Sequence, residues 1–98
     1  MATYIILSRL AHDAVAQPDG FRELADRVAQ RIKQDCPGVT WKDSYATLGR
    51  FDVVDIVEAD DPKQVERAAL IIRSQGHAET ETMLATPWDE FKQAFGGS

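Results

Sequence analysis

A chain of 98 residues with 44% hydrophobic content fits one globular domain with a single core. With 11 Lys and Arg against 16 Asp and Glu, the net charge of −5 argues against nucleic acid and anionic membrane surfaces as partners, since both reward clustered positive charge. Cys36 is the only cysteine, which excludes an intrachain disulfide or a cysteine zinc site and suits a reducing cytoplasm. No signal peptide or spanning segment is expected, because Met1-Ala2-Thr3 lacks a basic stretch and the apolar runs are short.

Thr3 to Leu10, with Tyr4, Ile5, Ile6 and Leu7 in succession, predicts a buried first strand. Ala11 to Gly20 contains Pro18, Asp19 and Gly20 and no clear period, so it reads as a loop with at most a helical turn over Asp13 to Ala16. Asp19 is a candidate N-cap. From Phe21, apolar Leu24, Ala25, Val28 and Ile32 recur at helical spacing opposite Arg22, Glu23, Asp26, Arg27, Gln30 and Lys33, and Pro37-Gly38 ends that amphipathic helix. Val39 to Leu48 alternates with strand period. Gly49-Arg50 suits a two-residue hairpin loop with positive φ at Gly49, leading into the apolar strand Phe51 to Ala59.

Asp61-Pro62-Lys63-Gln64 combines an N-cap carboxylate, a proline at the first helical position and a capping-box glutamine. The helix that follows runs to about Ser74 with Val65, Ala68, Ala69 and Ile72 inward, and Gly76 caps its end. His77 to Ala85 alternates as a fourth strand, and Thr86-Pro87-Trp88-Asp89 opens a short helix carrying Trp88, Phe91 and Phe95 on one side. Residues 1–95 thus form one domain, and Gly96-Gly97-Ser98 reads as a flexible tail. The order β-α-β-β-α-β plus a terminal helix is that of a ferredoxin-like α+β plait. Its sheet has four antiparallel strands, with strands one and three central and both main helices on one face.

Two helices cover one sheet face only, so the other must be polar, meet a partner or line a ligand cavity. If Val54 and Ile56 face the helices, then Val53, Asp55 and Val57 face away, together with Trp41, Asp43, Tyr45, Glu79, Glu81 and Met83. Arg9 fits best among those carboxylates. A face mixing large aromatics with acids marks an interface or a binding groove.

Three stretches resemble the GYD-domain family: Met1-Ala2-Thr3-Tyr4-Ile5-Ile6-Leu7, the segment Leu48-Gly49-Arg50-Phe51-Asp52 running on to Ala59, and Glu79-Thr80-Glu81-Thr82-Met83-Leu84-Ala85. The namesake Gly-(Arg)-Tyr-Asp turn carries Phe51 in place of tyrosine, which removes a hydroxyl. The resemblance implies a dimeric α/β-barrel arrangement, in which two sheets pack outer face to outer face, and it implies no reaction.

Ligand-binding candidates are Arg9, Trp41, Asp43, Tyr45, Arg50, Phe51, Asp55 and Glu81. Arg9, Asp43, Asp55 and Glu81 could form an acid/base cluster, or simply paired charges at a dimer interface. Arg50 and Asp52 could contact a ligand or neighbouring subunit, or Gly49 could serve the turn while Asp52 bonds backbone nitrogens. His12 and His77 lack ligand spacing, no metal or cofactor is implied, and Cys36, at a helix C-terminus, reads as inert. The expected function is a homo-oligomeric domain binding a small organic ligand or a partner protein at the uncovered face. The alternative is a cofactor-independent oxygenase or isomerase acting on a small aromatic or carbonyl compound. There Trp41, Tyr45 and Phe51 would hold the substrate, His12, Asp55 or Glu81 would act as base, and Arg9 would steady an enolate.

Overall fold

The computed structural model describes residues 1–16 and 18–96. Its elements are β1 (Ala2–Leu10), α1 (His12–Val15), α2 (Pro18–Asp35), β2 (Val39–Ala46), β3 (Val53–Ala59), α3 (Pro62–Gln75), β4 (Ala78–Ala85) and α4 (Trp88–Gln93). The four strands form one antiparallel sheet in the order β2-β3-β1-β4, the predicted topology. Ile6, Val57 and Ala59 of the sheet are buried against Ile32 of α2 and Val65, Ala68, Ile71 and Ile72 of α3, so both long helices lie on one face.

The start of α3 follows its sequence signature: the Asp61 carboxylate accepts from Lys63 N–H at 2.9 Å, with Pro62 first in the helix. The reciprocal half of the capping box does not form. Gln64 lies instead beside Gly38, and its buried Oε1 has no partner among the described residues. At the other end, Gly76 leaves no room for a side chain, since a Cβ there would sit 2.5 Å from the Ile72 carbonyl oxygen.

Four expectations are corrected. First, the helical turn expected over Asp13 to Ala16 is present as α1 (His12–Val15), but the rest of the segment read as a loop is shorter, since α2 begins at Pro18, which puts Asp19 inside the first turn rather than at the cap. Second, the β2-β3 connection is a loop over residues 47–52, not a two-residue turn. Asp52 N–H donates to the Ser8 carbonyl at 2.8 Å, which draws Asp52 toward β1, and Thr47 closes the loop through Asp52 O and Phe51 O. Gly49 does have the expected positive φ, +122°.

Third, β3 is turned over: Asp55, Val57 and Ala59 face the helices, and Val54 and Ile56 face away. A strand apolar on both faces constrains its orientation weakly, and a one-residue choice reverses every side chain. Fourth, a β-bulge between Trp41 and Asp43 places Trp41 on the helix side while Asp43 and Tyr45 remain outside. Gly97 and Ser98, expected as a flexible tail, lie outside the described residues, as does Gln17 of the predicted loop.

Candidate functional site

The uncovered face is built by strand alternation. Ile5 pairs with Ile56 and Met83, and Leu7 with Val54 and Glu81, while Tyr45 extends the row opposite Val54. Ile5, Leu7, Val54 and Ile56 are half-buried by one another, and Tyr45 and Met83 remain exposed. Charges flank this apolar centre: Arg9 lies 3.8 Å from Glu79, Glu81 stands beside Leu7, and Asp43 opposes Ile56.

At the end of this face the 47–52 loop folds back on β1. Arg9 Nε donates to the Arg50 carbonyl at 2.9 Å, and the Arg9 and Arg50 guanidinium groups lie 5.5 and 6.0 Å from the Phe51 ring centre. The Asp52 carboxylate accepts from Leu10 N–H at 2.8 Å, so this acid does bond a backbone nitrogen, though on β1 rather than within the turn. Phe51 therefore acts here through its ring face, which the missing hydroxyl leaves intact.

A second site lies between the layers. The apolar stripe of α2 is present, yet only Ile32 in this helix is buried. Phe21, Leu24 and Val28 stop short of full packing and leave a cavity of about 600 Å³ between α2 and the sheet. Its floor is polar. Asp55, 7% exposed, accepts at Oδ1 from Ser44 Oγ (2.6 Å) and Trp41 Nε1 (3.1 Å), and Trp41 Nε1 also lies 3.0 Å from Ser44 Oγ. Nearby Ser8, 2% exposed, has an Oγ with no partner among the described residues. The bulge in β2 creates this cluster by turning Trp41 and Ser44 to the same side as Asp55.

The sequence-predicted residues are thereby divided. Arg9, Arg50 and Phe51 come together, Asp43, Tyr45 and Glu81 share the outer face, and Trp41 and Asp55 lie on the opposite side of the sheet. The candidate bases do not converge: His12 is exposed on α1, Asp55 lies under α2, and Glu81 is on the uncovered face. His77 Nδ1 lies 3.7 Å from Asp13, and no three His, Cys, Asp or Glu side chains among the described residues are grouped to hold a metal. Burial pushes the Cys36 thiol above its ordinary pKa, Arg67 opposes this and Asp35 adds to it. Ser8 and Ser44 escaped the sequence reading because neither belongs to a motif. The one legible signal was a serine at a position in β1 otherwise held by large apolar residues.

The fold defines a ferredoxin-like α+β domain with one charged, half-apolar sheet surface left uncovered by the long helices. The profile of the GYD domain matches residues 4–95, and the chain belongs to the GYD-domain family. It is 38% identical over 91 residues to the "Glutamine synthetase and cystathionine beta-lyase binding protein" of Thermus thermophilus, a match covering 89% of this chain and 90% of that protein. Among solved structures, a protein of Thermus thermophilus superposes with a TM-score of 0.57 at 26% identity, over 89% of this chain and 95% of the other. A hypothetical protein of Pyrococcus horikoshii shares the fold at a TM-score of 0.50 and 24% identity, over 89% and 92% of the two chains.

Proposed function

We propose that this chain is a cytoplasmic protein-interaction module that pairs with a second copy of itself through the uncovered sheet face and presents the assembled surface to a larger protein. The carrying observation is that face: a central row of Ile5, Leu7, Val54 and Ile56, extended by exposed Tyr45 and Met83, on a sheet whose long helices pack on the other side. In a two-fold pairing, the charges that flank the apolar centre, Arg9, Asp43, Arg50 and Glu81, would supply the polar rim such interfaces carry. The name of the Thermus relative supports a protein as the partner, with glutamine synthetase and cystathionine beta-lyase as first candidates. The separation of His12, Asp55 and Glu81 favours binding over acid/base catalysis.

Sedimentation velocity tests the pairing. The wild type is expected to sediment as twice the 10.9 kDa chain, and the double variant Tyr45→Asp/Met83→Asp as a single chain with unchanged circular dichroism. Arg27→Asp, exposed on α2, should leave the dimer intact. A wild-type monomer across the accessible concentration range rejects the pairing. Calorimetric titration with purified glutamine synthetase and cystathionine beta-lyase from the same organism tests the partner, and absence of heat with both would remove those two candidates.

A further inference from the structure

We infer that the cavity between α2 and the sheet is a binding site for a flat, apolar small molecule ending in a hydrogen-bond donor, either a hydroxyl or an ammonium group. This site is separate from the uncovered face, lying on the opposite side of the sheet. Its size comes first. A dry apolar cavity of ~150 Å³ holds one benzene ring, and this space of about 600 Å³ lies in the range of small-molecule sites. Its walls are layers, the sheet below and the Leu24 and Val28 side of α2 above, with Phe21 and Trp41 among the lining residues, so a planar body fits best.

The polar groups then set the chemistry of the head. Asp55 receives both of its side-chain donors on Oδ1, and no side chain among the described residues donates to Oδ2. Ser8 Oγ is buried with no partner at all among them. A buried polar atom without a hydrogen bond is costly, and Ser8 Oγ is one; because the Asp55 carboxylate lines the same largely apolar cavity, a ligand that brings a donor can bond both side chains. Ser8 pairs with Val53, so Asp55 is its diagonal neighbour on the same sheet face, with Cβ atoms roughly 7 Å apart. A single head group can therefore donate to Asp55 Oδ2 while meeting the Ser8 hydroxyl. A head without a donor would leave Asp55 unanswered.

The test uses the ¹⁵N-labelled full chain and three probes of equal body: 2-naphthol, 2-naphthylmethylamine and 2-methoxynaphthalene, the last lacking a donor. The Trp41 indole N–H signal reports the site because it bonds Asp55, and exposed Trp88 on α4 is an internal control. At least one donor probe should shift the Trp41 signal saturably, leave Trp88 in place, and bind at least about tenfold more tightly than the ether, the ratio lost with a hydrogen bond to a charged group. The tighter of the two donors identifies the head as hydroxyl or ammonium. Asp55→Asn should remove most of that preference, and Ala25→Phe, which fills the cavity from α2 without touching the polar floor, should abolish binding of every probe. No saturable shift with either donor, equal affinity for the ether, or undiminished binding by Ala25→Phe would overturn the inference.

Discussion

The reversed orientation of β3 can be tested with two adjacent truncations, Ile56→Ala and Val57→Ala. Val57 is fully buried in the cluster with Ile6 and Val65, so losing two methyl groups removes ~1.6 kcal/mol of transfer free energy at ~0.8 kcal/mol each. Incomplete collapse of the resulting void raises the loss toward ~2.5 kcal/mol. For a domain of this size that corresponds to a fall in Tm of roughly 10–20 °C. Ile56 points to the uncovered face and is only half-buried within one chain, so its truncation should cost the isolated fold less than ~1 kcal/mol. Its larger effect should fall on association. Thermal unfolding across a hundredfold range of protein concentration separates the two, because dimerisation makes Tm depend on concentration and core packing does not. Val57→Ala should lower Tm by a similar amount throughout, whereas Ile56→Ala should lower it mainly at high concentration. Equal losses at low concentration, or a Val57→Ala variant within ~0.5 kcal/mol of wild type, would refute the assigned orientation.

Three further outcomes follow from two buried residues, Cys36 and Gly76. Cys36, buried and with its pKa raised by that burial, should resist iodoacetamide in the native protein and react readily in denaturant. Because its folded pKa exceeds the unfolded value near 9, the unfolded chain releases its proton first as pH rises, so Cys36 should contribute a decline in stability above about pH 9, and the decline should be shallower in Cys36→Ser. Gly76→Ala should destabilise by more than ~1 kcal/mol in urea titration, since its Cβ would press on the Ile72 carbonyl oxygen, and a neutral or stabilising result would contradict that close approach.

Local signals in the chain were enough for element order, strand pairing and family. The period of Phe21 to Ile32, the Asp61-Pro62 helix start and the alternation of Glu79 to Met83 each depend on residues a few positions apart, and each holds in the structure. The hydrophobic stripe of α2 was legible too, yet its incomplete packing was not, because the height of a helix above a sheet depends on side chains brought from five other elements. Nor could alternation alone place Trp41 and Asp55. One extra residue in β2 reverses the sense of everything before it, and in β3 the valines and isoleucine on both faces left the orientation to be decided by cross-strand partners. Asp55 reads in sequence as an acid for the open face, and it lies inside because Ser44 and Trp41, 11 and 14 residues earlier, supply the donors that make its burial tolerable. Composition and period act along the chain and survive any tertiary arrangement, whereas hydrogen-bond partners and cavity walls exist only once distant segments meet.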